Sequence, residues 1–182
     1  MRLLALLSLF FFYSTLQLSA QRFLADSSHV RFFSQALLED IEATNSQGQG
    51  VIDIKKGEFA FSIPIKSFQF EKSLMQEHFN ENYMESEKYP KATFHGKMLN
   101  FSEEVTDWQE VEAEGELEIH GVKRKVKLPA QFLLNQEGKV SAKSSFKVKL
   151  KDHKIKVPRM LFQNIAEIID VDVFFIFSPY EK

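Results

Sequence analysis

Residues 111–128 read VEAEGELEIHGVKRKVKL, and apolar residues alternate with charged ones along most of this stretch. A period of two is typical of a β-strand that buries one face. The alternation is interrupted at His120-Gly121, which has the length of a two-residue hairpin turn in which Gly121 would adopt a positive φ. The stretch therefore predicts two antiparallel strands joined by a tight turn.

The position of this turn fixes the register of the hairpin. The outer face is then expected to pair acidic with basic residues: Glu118 with Lys123, Glu116 with Lys125, and Glu114 with Lys127. Exposed pairs of this kind contribute only about 0.2 to 1 kcal/mol each. We therefore interpret the charges as a solvated face rather than as a binding patch.

The same alternation continues on both sides of the hairpin. Further strands are predicted at 30–33, 51–54, 58–65, 92–98, 140–150 and 169–177, with a turn at 55–57. Seven or eight antiparallel strands linked mostly by short turns indicate a barrel or a sandwich. The predicted fold class is all-β with one short helix.

That helix is predicted from residues 73–86, where the apolar residues recur at three and four positions. Ser73 and Gln76 have the spacing of a capping box, and the helix of about three turns should end before Tyr89-Pro90, because proline disfavours helix at the preceding residue. Residues 36–43 have a weaker pattern, which leaves a second helical turn and an irregular loop open.

The N-terminus has the pattern of a secretory signal peptide. Arg2 precedes an apolar run, residues 3–13, that is interrupted only by Ser8, is too short to span a bilayer and is followed by mostly small and polar residues up to Ala20. We predict a signal peptide at 1–20, cleavage after Ala20, and a single domain at 21–182. A periplasmic or secreted protein with no stable membrane anchor is expected.

Composition narrows the classes of function. The formal net charge is −2, which does not suggest a nucleic-acid partner. The chain has 19 Phe but a single Trp and four Tyr. Because Phe has no polar tip that needs a partner, a Phe-rich interior favours a wall that stays dry. The sequence leaves the oligomeric state open, a dimer included.

No enzyme signature is convincing. The chain has no Cys, which excludes a thiol nucleophile and a sulfur-ligated metal, and it contains no nucleophile elbow, zinc-protease helix or glycine-rich phosphate loop. The histidines are scattered singly, at His29, His78, His95, His120 and His153. We predict no enzymatic activity, no cofactor and no metal site.

Two polar residues lie in predicted apolar positions. His78 falls on the apolar stripe of the helix, either as a core histidine bonded to a backbone carbonyl or as a polar contact for a ligand head group at a barrel mouth. Arg124 would point inward, which is costly without a partner, so it would meet a carboxylate such as Glu167 or a polar ligand head.

Three motifs resemble the YceI-like domain family. Residues 75–94 contain a helix followed by Y-P-x-A-x-F, residues 114–128 are similar to G-x-L-T-I-x-G-V-T-x-x-V-x-L, and residues 146–152 precede the final strand as a third match. The resemblance covers roughly residues 23–177. It implies an extended lipocalin-like antiparallel barrel, exported to the periplasm, whose interior holds a polyisoprenoid or similar amphiphile through apolar lining side chains and without established catalytic residues.

Carried onto the inward positions of this chain, the resemblance favours an exported lipid-binding protein that encloses an isoprenoid lipid or isoprenoid quinone. The expected ligand-binding residues are Phe59, Phe61, His78, Phe79, Tyr83, Phe94, Leu117, Phe132, Phe146, Val148 and Phe175, with the helix bearing Phe79 and Tyr83 as a plug near one end. A secreted structural or partner-binding barrel with a solid core is the main alternative, and a lipid-modifying enzyme is a third.

Overall fold

The computed structural model describes residues 22–35, 40–102, 107–157 and 165–180. The predicted signal peptide and residues 36–39 of the undecided segment therefore lie outside the described residues. Within the described ranges the strands are β1 (Arg22–Ser34), β2 (Ile41–Asn45), β3 (Gln49–Asp53), β4 (Glu58–Pro64), β5 (Gln69–Phe70), β6 (Lys91–Leu99), β7 (Gln109–Ile119), β8 (Val122–Leu134), β9 (Val140–Lys149) and β10 (Ile168–Pro179). The helix α1 (Ser73–His78) continues into a π-helical turn (Phe79–Tyr83), and 3₁₀ turns occupy Ile65–Ser67 and Leu150–His153.

The strands form one antiparallel sheet that closes on itself. Eight strands follow one another in the order β10-β9-β8-β7-β6-β4-β3-β1, and β1 pairs with β10 to close the barrel. β2 and β5 extend the sheet from the second half of β1. The predicted all-β fold, an antiparallel barrel of about eight strands with one short helix, is confirmed.

The β7–β8 hairpin has the predicted register. Ile119 pairs with Val122, and the turn residues His120 and Gly121 have φ of 53° and 69°. Glu118, Glu116 and Glu114 lie opposite Lys123, Lys125 and Lys127 as expected. Lys123 Nζ also reaches diagonally to Glu116 Oε1 at 2.9 Å, and this hydrogen bond lowers the pKa of the Glu116 carboxyl. The charges are exposed and paired, in agreement with a solvated face.

The N-terminal strands differ from the prediction. β1 begins eight residues earlier than the predicted strand at 30–33, since it follows β10 along most of its length through a bulge between Ala25 and Ser27. Residues 41–43 are neither helical nor loop but part of β2, because they hydrogen-bond to the second half of β1. Asn45, buried at the end of β2, donates to the Pro64 carbonyl at 2.8 Å and so holds the corner before β3.

The helix lies where it was predicted, but its start is different. Ser73 is the first helical residue and Lys72 occupies the N-cap without a side-chain cap hydrogen bond, so the predicted capping box is wrong. Gln76 Oε1 instead accepts the backbone N–H of Phe70 at 3.3 Å. This contact ties the helix to β5. No helix among the described residues is long and apolar enough to cross a bilayer.

One half of the barrel interior is solid. Phe177 and Val140 are fully buried, and Ile52 and Phe132 are 1% exposed. Phe61 on β4 contacts Phe175 on β10, with ring centroids 4.9 Å apart, although these strands are not neighbours in the sheet. Side chains therefore meet across the interior at this level, so any hollow must lie between them and the helix.

Candidate ligand-binding cavity

A cavity of about 390 Å³ lies between the solid half of the barrel and the helix. Its volume is within the range of roughly 300 to 1,000 Å³ that is common for small-molecule sites. Apolar side chains from the barrel strands and from the helical segment form most of its wall. Only a few polar side chains interrupt this wall, so the site is suited to an apolar chain rather than to a charged ligand.

The structure brings all the sequence-predicted site residues to this one cavity. Its lining includes Phe59, Phe61, His78, Phe79, Tyr83, Phe94, Leu117, Phe132, Phe146, Val148 and Phe175. Ten of them are apolar or aromatic residues on inward positions of a strand or on the helical segment, as the alternation and the helical stripe require. Their contact with a ligand stays a prediction.

An aromatic cluster holds the helical segment over one end of the barrel. Phe79, at the start of the π-helical turn, stacks on Phe32 of β1 with the ring centroids 5.4 Å apart. Its ring centroid lies 5.6 Å from that of Phe68 and 5.0 Å from that of Phe70. Sequence reasoning missed Phe32, Phe68 and Phe70, which also line the cavity. The latter two belong to a short irregular stretch where no alternation could reveal an inward position.

A second small core supports the same end. Ile65, Met84 and Ile155 are buried together, with Tyr83 packed against them. Burial raises the pKa of the Tyr83 hydroxyl, so the group stays protonated at neutral pH. At the cavity wall it can donate a hydrogen bond to an uncharged oxygen of a ligand.

His78 is exposed rather than buried, so its interpretation as a core histidine is wrong. It is the last residue of α1 and lines the cavity from the solvent side. The helical stripe predicted burial, but no residue of this two-turn helix is buried. The position agrees with a polar contact at a cavity mouth, and the contact itself stays a prediction.

Arg124 lies opposite Leu117 on the inward face of the hairpin, as the register predicts, but its side chain is 51% exposed and is not buried in the interior. Its Nε donates to the Asp152 carbonyl at 3.0 Å, and its guanidinium lies 4.0 Å from the Asp152 carboxylate. Arg124 sits near the end of β8, where the strand meets the 3₁₀ turn instead of the interior. Asp152, and not Glu167, is its partner.

Two buried histidines hold the elements around this end together. His120 Nδ1 lies 3.1 Å from the His153 carbonyl, and its Nε2 lies 3.2 Å from Glu85 Oε1. His153 Nδ1 lies 3.3 Å from the Val122 carbonyl, and burial lowers the pKa of His153. These contacts join the β7–β8 turn, the 3₁₀ turn and the segment after the helix, which makes both rings structural.

The polar groups of the wall do not form a reactive set within the described part of the chain. The Ser34 hydroxyl accepts the Ala166 N–H at 2.9 Å, and the Ser144 hydroxyl donates to the Pro129 carbonyl at 2.6 Å. Over the same described ranges, no three His, Asp or Glu side chains are placed to hold a metal ion.

Solved structures share this architecture at low sequence identity. A polyisoprenoid binding domain from Saccharophagus degradans implicated in plant cell wall breakdown superposes with a TM-score of 0.75 at 15% identity, covering 88% of this chain and 99% of that one. Burkholderia cenocepacia BcnA superposes with a TM-score of 0.69 at 15% identity, and the match covers 82% of this chain and 95% of that one. A Campylobacter jejuni YceI protein superposes with a TM-score of 0.56 at 18% identity, and the match covers 72% of this chain and 78% of that one.

At these identities the structures establish the shared fold. A search of curated proteins finds no match to this sequence. The sequence model of the YceI-like domain matches residues 22–177, a range that includes every residue named in the cavity lining. The chain therefore belongs to the YceI-like domain family.

Proposed function

We propose that this protein is an exported, non-enzymatic lipid-binding protein that holds the isoprenoid chain of a lipid in its barrel. The observation that carries the proposal is the apolar cavity of about 390 Å³ between the solid half of the barrel and the aromatic cluster under the helix. One structural neighbour, a polyisoprenoid binding domain, supports the same ligand class.

The energetics favour a chain of several isoprene units. Burial of apolar groups contributes about 0.8 kcal/mol per CH₂, so one five-carbon unit gains on the order of 3 to 4 kcal/mol. Association costs about 4 to 15 kcal/mol. One unit alone would therefore bind weakly, while two or more would bind increasingly well until the cavity is full.

Two further features support the proposal. The signal-peptide pattern at 1–20 favours export, and an exported domain without Cys can fold without disulfides. The wall serines Ser34 and Ser144 both bond to backbone groups. Neither is paired with a histidine that could activate it, which favours binding over catalysis.

The test is a series of prenyl alcohols that differ by one isoprene unit each: geraniol, farnesol and geranylgeraniol. We expect the Kd to fall at least tenfold per added unit and then to level off when the cavity is full, because only buried carbons contribute. Titration monitored by displacement of an apolar fluorescent probe measures these constants.

Replacing the alcohol by a quinone head group at constant chain length is the matched control, and it should change the Kd by less than the addition of one unit does. A Kd that is independent of chain length would contradict the proposal. So would affinity that follows the head group alone.

A further inference from the structure

The barrel wall is interrupted between β8 and β9. Both strands are described along their whole lengths, yet their pairing covers only four residue pairs, from Gln131 with Lys143 to Leu134 with Val140. β8 pairs with β7 from Val122 to Phe132, and β9 pairs with β10 along its whole length. The backbone ladder is therefore missing between residues 122–130 of β8 and residues 144–149 of β9, which leaves a gap in the side of the barrel.

The sequence explains why this ladder stops. Pro129 has no N–H to donate and lies two residues before Gln131, which belongs to the last pair. If the register continued, Lys127 would face Lys147, and Lys125 would face Lys149. Like charges directly opposite each other destabilise strand pairing.

The neighbouring ladders place opposite charges against the same lysines. Lys127 Nζ lies 3.3 Å from Glu114 Oε2 across the β7–β8 ladder. Lys147 pairs with Asp170 across the β9–β10 ladder. Opposite charges therefore favour the β7–β8 and β9–β10 ladders, whereas like charges disfavour pairing between β8 and β9 along the gap.

The Pro129–Ser144 end of the gap lies beside a depression in the outer surface. This depression of about 500 Å³ includes outward residues such as His29 and Phe174, and it shares lining residues with the cavity. The shared residues are Ala130, Gln131, Lys143, Ser144 and Val173. Because Val173 is an inward residue of β10, the depression and the cavity lie next to each other at this end of the gap.

Contacts at both ends give the gap a defined length. At one end the Ser144 hydroxyl donates to the Pro129 carbonyl at 2.6 Å. At the other end Arg124 bonds to the Asp152 carbonyl, and His153 lies against the Val122 carbonyl. Between these contacts no backbone ladder is formed, although both strands are fully described.

We propose that this gap is a lateral portal through which the apolar chain of the ligand enters and leaves the cavity. The proposal rests on the proposed function, because it assigns a route to the same ligand. The aromatic cluster and the solid half lie at the two ends of the cavity, and the gap lies in its side wall between them. Leu128, Phe146 and Val148 give the portal apolar inner edges, while lysines line it outside.

The portal can be closed with a reversible cross-link. The chain has no native Cys, so Lys127→Cys with Lys147→Cys places the only two thiols on opposite sides of the gap. Bridging them with a bismaleimide that contains a reducible bond should slow the exchange of bound farnesol at least tenfold. Reduction of the bridge should restore the original rate.

The matched control is Lys147→Cys with Asp170→Cys, which bridges the paired ladder between β9 and β10 and should leave the exchange rate unchanged. Equal exchange rates for the bridged and reduced forms of the gap variant would overturn the portal. Equilibrium binding of farnesol to the reduced form tests the proposed function separately. Normal binding together with an exchange rate that the bridge does not change contradicts the portal alone. Absence of binding in both the reduced form and the unmodified protein contradicts the proposed function and the portal with it.

Discussion

Replacing Leu117 with Trp is expected to weaken the binding of farnesol by a few hundred-fold. Leu117 lies on β7 with its side chain on the cavity wall, paired across the β6–β7 ladder with Phe94. The larger indole would occupy the space of about one isoprene unit, whose burial contributes on the order of 3 to 4 kcal/mol. A direct titration of the variant with farnesol measures the loss.

The control for this substitution is Leu24→Trp, because Leu24 is a 42% exposed residue of β1 that does not line the cavity. It should leave the affinity within a factor of about two, since surface changes rarely act at a distance. Both variants should unfold at similar denaturant concentrations. Undiminished binding by Leu117→Trp would show that this part of the wall does not contact the ligand.

Replacing Phe177 with Ala is expected to lower the free energy of unfolding by about 3 to 5 kcal/mol, as large-to-small changes in a packed core do. The Phe177 ring is fully buried, and it contacts Phe61 and Phe175 from its place in the solid half of the barrel. The change removes these contacts at a ring that does not itself line the cavity, although Phe61 and Phe175 do. Urea unfolding followed by circular dichroism measures the loss of stability.

Phe33→Ala serves as the comparison, since Phe33 is a half-buried neighbour of the Arg31 guanidinium on β1. Its loss of stability should be much smaller. The folded fraction of Phe177→Ala should still bind farnesol, which separates the solid half from the cavity. An equal loss of stability in the two variants would contradict the assignment of Phe177 to the solid core.

The regular strands were predictable because local chemistry and tertiary packing agree there. In the β7–β8 hairpin, the turn residues His120-Gly121, the alternation and the opposed charges all specify one register. β1 was underestimated because the polar residues of its first half carry no apolar alternation. Its strand conformation comes from pairing with β10, which is distant in sequence.

The candidate site was predictable to the extent that it follows the period of two. Phe59 and Phe61 on β4, like Phe146 and Val148 on β9, lie on the cavity wall because alternate residues of a strand share one face. Phe68 could not be placed in this way, since it belongs to an irregular segment.

Two other features depend on neighbours that the sequence pattern does not reveal. His78 has the spacing of a buried residue, but α1 is only two turns long and lies over the barrel end with that residue exposed. The gap between β8 and β9 arises where two strands that are each well formed fail to pair. The alternation within a strand shows which face of that strand is buried. It does not show how many residues of the strand pair with the neighbouring strand.

The central claim is that the cavity holds an isoprenoid lipid, and native mass spectrometry of the protein purified under gentle conditions tests it most directly. We expect a non-covalent adduct whose released mass is that of a prenyl lipid, and loss of this adduct in Leu117→Trp. A bare protein mass for the unmodified protein, both as purified and after incubation with farnesol, would contradict the account.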